Sequence, residues 1–64
     1  MKTAGIIIIG NEILSGKVTD INSPYLCVEL RILGVEVKQI ITIPDTPEII
    51  GKTVLDFSER FTWV

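Results

Sequence analysis

The run Ile6-Ile7-Ile8-Ile9 constrains this chain more than any other feature. Four consecutive β-branched side chains are stiff at χ1 and suit a pleated backbone, so residues 3–9 are predicted to form a strand. A strand apolar on both alternating sides is normally covered on both faces, the situation of a parallel sheet in an α/β domain.

The following segments alternate accordingly. Ser23 can cap a helix, with Pro24 at its first position, where the missing N–H is harmless. Leu26, Leu30 and Leu33 then recur at i, i+4 and i+7 as an apolar stripe, and Gly34 supplies a left-handed stop. Residues 35–43 read as a second strand, with Val35 and Val37 alternating against Glu36 and Lys38. Pro44-Asp45 turns the chain, and Thr46-Pro47-Glu48 repeats the capping logic for a helix that runs to about Arg60. Its apolar face is Ile50, Val54, Phe57 and Phe61, while Glu48, Lys52, Asp56 and Arg60 form a charge ladder at i, i+4 spacing. Residues 61–64 read as the opening of a third strand.

The predicted class is therefore α/β, in the order β-α-β-α-β, with a parallel sheet and right-handed crossovers. If the strands run in chain order, both helices share one face and the other is bare. A 64-residue unit buries only about 60% of the surface its unfolded chain exposes. The expectation is that residues 1–64 are the N-terminal portion of one larger domain. The alternative is a complete small protein that covers its bare face by oligomerising.

Composition removes several function classes. The chain is 47% hydrophobic and 22% charged, too apolar for disorder, and its net charge of −2 is spread without a basic cluster. No nucleic-acid footprint is expected. Cys27 is the single cysteine and histidine is absent, which excludes an internal disulfide, Ser-His-Asp or Cys-His catalysis, and imidazole metal sites. Acid–base or metal chemistry falls to carboxylates. Cys27, Tyr25 and Trp63 read as packing or interface residues, not as a reactive thiol or stacking platforms. The apolar run after Lys2 ends at Gly10-Asn11-Glu12 after about six residues, short of the roughly 7–15 of a signal core. No segment approaches the ~20 apolar residues of a membrane span. A soluble chain in a reducing compartment is expected, with no membrane partner.

Residues 10–22 form a connection far longer than the usual 2–6 residues, and such loops are more often functional. The outline suggests a phosphate-binding P-loop, but Gly10 and Gly16 are one residue too far apart and Lys17 precedes Val18 instead of Ser or Thr. The helix also waits until Ser23, and Glu12 would place a carboxylate inside an anion cradle. The dinucleotide pattern G-x-G-x-x-G fails at the same glutamate. What remains is Gly10, Glu12, Gly16, Asp20 and Asn22, all following the first strand at the edge where open α/β sheets bind ligands. Glu12 could hold a cation that bridges to phosphate, or accept hydrogen bonds from amino or hydroxyl groups. Gly10 and Gly16 either admit a ligand or turn the chain, and Asp20 and Asn22 either bind or cap. Lys17 reads as a solvated cation, with phosphate contact the lesser reading.

The stretch GNEILSGKVTDINSPYL, with LGVEV and IPD downstream, resembles the G-[DNT]-E-[IL]-L-x-G…D-[ST]-N pattern of the MoaB/Mog molybdopterin-binding fold. That loop is shared with the competence/damage-inducible proteins, and the whole chain is most similar to the molybdopterin-binding-like domain of eukaryotic FAD synthases. Ile21 departs from the small polar residue often found there. The resemblance implies an incomplete three-layer MoaB/Mog-like domain and a ligand loop near a pterin or nucleotide phosphate, built from Gly10, Asn11, Glu12, Gly16, Asp20 and Asn22. It implies a pterin or flavin nucleotide as ligand and a divalent, Mg-type metal, with Glu12 and Asp20 as candidate ligands. No catalytic residue can be assigned.

In FAD synthase-like proteins such a domain is associated with metal-dependent FAD hydrolysis beside a separate adenylyl-transferring domain. The complete parent is then an enzyme of FAD metabolism, cytoplasmic or mitochondrial, with the complete domain able to form homo-oligomers. The family continues into a Gly-Gly-x-Gly turn and an acidic stretch that supply much of the pocket, so residues 1–64 alone are expected to be inactive, with too little of the site to bind ligand well. Two other readings stand beside this one: a molybdenum-cofactor biosynthesis domain acting on molybdopterin, and a non-catalytic truncated or regulatory fragment.

Overall fold

The computed structural model describes all of residues 1–64. The α/β expectation holds: β1 (Lys2–Ile9), α1 (Asn11–Leu14), α2 (Asn22–Ile32), β2 (Val35–Ile43) and α3 (Pro47–Arg60) follow one another along the chain. The strands β1 and β2 pair in parallel from Lys2↔Val35 to Ile9↔Ile43, with one irregularity where Ala4↔Val37 is followed by Gly5↔Gln39. Lys38 is the extra residue, and it forms a salt bridge with Glu36 at 3.1 Å on the outer strand.

The third strand is present as a single parallel bridge, Ala4↔Trp63. Trp63 N–H donates to Thr3 O at 3.0 Å and Gly5 N–H to Trp63 O at 3.0 Å. Because Ala4 pairs with both Val37 and Trp63, β1 lies between them and the strand order reverses there. This corrects the expectation of strands in chain order with one bare face. Right-handed crossovers in opposite directions place α2 and α3 on opposite faces. The dimensions of 33 × 25 × 11 Å fit such a stack, three layers deep over a sheet barely more than two strands wide.

The small core sits where α3 crosses β1. Phe57 is 1% exposed and meets Phe61 edge-to-face, with ring centroids 5.2 Å apart. Both rings lie over Gly5, where a Cβ would overlap them. Ala4 and Ile6, on the other side of the pleat, are buried too, as is Ile43 at the end of β2.

The helix faces differ in detail from the sequence reading. On α2 the inward row is Ser23, Cys27 and Leu30, with Leu26 and Leu33 exposed, so the helix is turned one position from the leucine stripe. On α3 the row is Ile50, Thr53, Phe57 and Phe61, with Val54 exposed. Of the predicted charge ladder only Arg60–Asp56 closes, at 2.8 Å. Thr46 occupies the cap position of α3 without a side-chain capping bond, and Pro47 opens the helix as predicted. Gly34 ends α2 at φ 82° as expected. Tyr25 and Trp63 are more than half exposed, so neither is a core residue. No helix is long and apolar enough to cross a membrane.

Candidate functional site at the carboxyl end of β1

The point where strand order reverses is β1 itself, and open α/β sheets bind ligands outside the carboxyl end of the strands at such a point. Here that end carries Gly10-Asn11-Glu12. The last rung of the sheet is Gly10 N–H donating to Ile43 O at 3.1 Å. One residue on, the chain turns into α1, a single helical turn that sequence periodicity did not reveal. Four residues are too few to show a period, and Ile13 and Leu14 gave no alternation to read.

The turn is held by main-chain bonds centred on Glu12. Its carbonyl accepts from Lys17 N–H at 3.0 Å, Val18 N–H at 3.2 Å and the Ser15 hydroxyl at 3.1 Å. The side chain is left out of this arrangement. Glu12 is exposed, and the two ion pairs of the molecule, Lys38–Glu36 and Arg60–Asp56, leave both it and Lys17 unpaired.

The two glycines of the loop do different things. Gly16 has φ 80°, a left-handed conformation that only glycine adopts freely, and its N–H closes on Ile13 O at 3.2 Å. Gly16 therefore turns the chain. Gly10 has φ 174°, extended backbone open to any residue. A Cβ there would meet only ordinary contacts, 3.6 Å from Ile13 Cδ1 and 3.7 Å from Glu12 Oε2. Neither backbone nor packing requires glycine at position 10, which leaves an open surface beside the Glu12 carboxylate.

Asp20, just before the N-cap residue Ile21, supplies the side-chain cap of α2. Its Oδ1 accepts the N–H groups of Asn22 at 3.0 Å and Ser23 at 3.1 Å, and its Oδ2 accepts the Ser23 hydroxyl in a short hydrogen bond. These bonds, the Ser23 hydroxyl foremost, hold the Asp20 carboxyl below the usual carboxylate range. Ser23 is thus not the cap it was expected to be. It lies inside the first turn, 3% exposed, and donates to the residue that is. Pro24 is accordingly the third helical residue instead of the first. Asn22 opens the helix, exposed, and only its backbone N–H is used.

A residue from the turn after β2 joins the site. The Oδ1 of Asn11 accepts the N–H of Asp45 at 3.2 Å, tying the turn after β1 to the turn after β2. The sequence offered no signal for this pairing, because 34 residues separate the partners.

The fit for a cation divides the two candidate ligands. No three acidic or thiol side chains converge into a ready-made metal cluster. Both Asp20 oxygens are engaged by the helix start, whereas the Glu12 carboxylate is free. One free carboxylate fits a Mg-type ion that takes the remainder of its shell from phosphate and water. A groove lies elsewhere on the surface, between α2 and β2, beside Cys27, Arg31 and Val37. It contains none of these loop residues.

Residues 5–63 match the family described as probable molybdopterin binding domain. A probable FAD synthase from Caenorhabditis briggsae is 41% identical over 98% of this chain and 12% of its own length. A protein of Archaeoglobus fulgidus is 46% identical over 92% of this chain and 26% of its own. A CinA-like protein of Thermotoga neapolitana is 41% identical over 84% of this chain and 13% of its own. The chain thus spans between 12% and 26% of the length of each of these relatives.

Proposed function

The chain belongs to the family of probable molybdopterin binding domains, and from that premise we propose that it carries the first ligand loop of a flavin-nucleotide site in a FAD synthase-like protein. The observation that carries this reading is the free Glu12 carboxylate beside the side-chain-less surface of Gly10, at the strand end where the sheet order reverses. A carboxylate in that place suits a ligand that brings its own negative charge only if a cation lies between them. The ligand is then FAD with a Mg-type ion, which the Glu12 carboxylate would help to hold. When bound, the cation would neutralise pyrophosphate charge and polarise the phosphoryl oxygens. Gly10 lets the phosphate approach the main chain, Gly16 and the Glu12 carbonyl hold the loop in shape, and Asp20 fixes where α2 begins. In the complete domain this arrangement serves metal-dependent FAD hydrolysis, in which water adds to phosphorus and the bridging P–O bond breaks to give FMN and AMP.

The pterin reading shares the same loop, and the family description favours it. The two differ in what fills the space beyond the phosphate, a flavin nucleotide or molybdopterin. The test is a titration of the 64-residue chain with FAD and MgCl2, followed through backbone amide shifts, which register millimolar binding. Shifts confined to residues 10–12, removed by EDTA and by Glu12→Gln, are expected. Shifts elsewhere, or none up to several millimolar FAD, would refute the flavin-nucleotide site. In the complete domain the same Glu12→Gln change is expected to weaken FAD binding or turnover about tenfold or more.

A further inference from the structure

Resting on the flavin-nucleotide reading, we infer that Asn11 is a positioning residue: its side chain clamps the turn after β1 to the turn after β2 and so sets where Glu12 stands. The two turns lie next to each other at the carboxyl end of the sheet, the end at which open α/β sheets bind ligands. Up to Gly10 N–H and Ile43 O they are joined by the regular ladder. Past that rung the strands end, and the hydrogen bond from Asp45 N–H to Asn11 Oδ1 at 3.2 Å holds them together.

The other bonds near Asp45 show why this clamp matters. Pro44 has no N–H to offer, and Thr46 N–H is used within its own turn, on Pro44 O at 2.9 Å. Asp45 N–H is therefore the one backbone donor of the 44–46 turn that reaches across, and Asn11 is its acceptor. Glu12 follows Asn11 directly, inside the same helical turn. Glu12 is therefore tied to the 44–46 turn through its neighbour, and the three main-chain and hydroxyl bonds on the Glu12 carbonyl tie the Ser15–Val18 loop to the same point. The chemistry needed at position 11 is a short side chain with an oxygen acceptor, not a charge or an amide as such.

Two substitutions separate this role from its rivals. Asn11→Leu is similar in size and lacks the acceptor, whereas Asn11→Asp keeps an oxygen at the same distance from the backbone. Amide hydrogen exchange at Asp45 reads the clamp, and the titration with FAD and MgCl2 reads the site. Asn11→Leu is expected to speed Asp45 exchange and weaken FAD binding about tenfold, as loss of one hydrogen bond allows. Asn11→Asp is expected to restore both to within about threefold of the parent. FAD binding unchanged in Asn11→Leu overturns the positioning role while leaving the flavin site standing. Loss of binding in Asn11→Asp with Asp45 still protected also overturns it, because the amide itself would then be touching ligand. No FAD shifts in the parent chain refute the flavin site, and this role falls with it.

Discussion

The Ser23 hydroxyl donates to one oxygen of the Asp20 carboxylate while the backbone N–H of the same serine donates to the other. This double hold, with Asn22 N–H as a third donor, makes the start of α2 depend on the charge state of one half-buried side chain. The donors favour the ionised carboxylate, and they lower its pKa from the ordinary 3.8.

The sign of the resulting pH dependence follows from that depression. A carboxyl whose folded pKa lies below its unfolded value stabilises the fold above the unfolded value, near 3.9. That contribution disappears as the pH falls through the folded value. The melting temperature of the parent chain is expected to drop on acidification below about pH 4 more steeply than that of Asp20→Asn, which keeps an acceptor without titrating. Parallel acid profiles for the two would show that the carboxylate charge does not stabilise the helix start. Thermal melts followed by circular dichroism between pH 7 and pH 2 provide the comparison.

Gly5 marks the tightest contact between sheet and helix. A Cβ there would overlap both the Phe57 and Phe61 rings, and 2.6 Å from Phe61 Cδ2 leaves no room without moving the aromatic pair. Gly5→Ala is expected to destabilise the chain by about 1–3 kcal/mol through overpacking, despite alanine's smaller backbone entropy loss. Urea unfolding measures this, and a neutral or stabilising effect would mean that α3 can lift off β1 at little cost.

Arg60 tests how much a surface pair contributes beside an aromatic face. Its guanidinium bonds Asp56 at 2.8 Å and also lies 5.1 and 4.9 Å from the Phe57 and Phe61 ring centres. The ion pair is largely exposed and is worth only about 0.2–1 kcal/mol. Asp56→Asn is therefore expected to change stability by less than about 1 kcal/mol. Arg60→Ala, which also uncovers the rings, is expected to cost more than Asp56→Asn. Equal effects of the two substitutions in urea unfolding would assign the whole contribution to the ion pair.

The sequence was readable where periodicity and stop signals act locally. The Ile6–Ile9 run, the Gly34 stop and the Pro47 start each fix their own element without help from elsewhere. Strand order was not readable in that way. It depends on Trp63 meeting Ala4 across 59 residues, and chain order was the simpler expectation. The leucine stripe of α2 misled as well. Leu26 and Leu33 are exposed, while Ser23, held by Asp20, is buried and Cys27 one turn on is half-buried. The loop residues were found by type, but their division into a free carboxylate, a cap, a turn glycine and an inter-loop clamp required their positions in space.

Gly10 and Gly16 make that division testable. Gly16 sits at φ 80°, so Gly16→Ala must adopt a left-handed backbone and is expected to destabilise the chain by about 1–2 kcal/mol. Its effect on FAD binding follows from distortion of the loop. Gly10 is extended and has room for a methyl group, so Gly10→Ala is expected to melt within about 0.5 kcal/mol of the parent. The added Cβ would nevertheless stand 3.7 Å from Glu12 Oε2, on the surface where the phosphate is proposed to approach. A stable Gly10→Ala chain whose residue 10–12 amides no longer respond to FAD and MgCl2 would assign this glycine to the ligand. A stable chain that responds like the parent would move the phosphate away from position 10 and leave Glu12 as the sole anchor of the site.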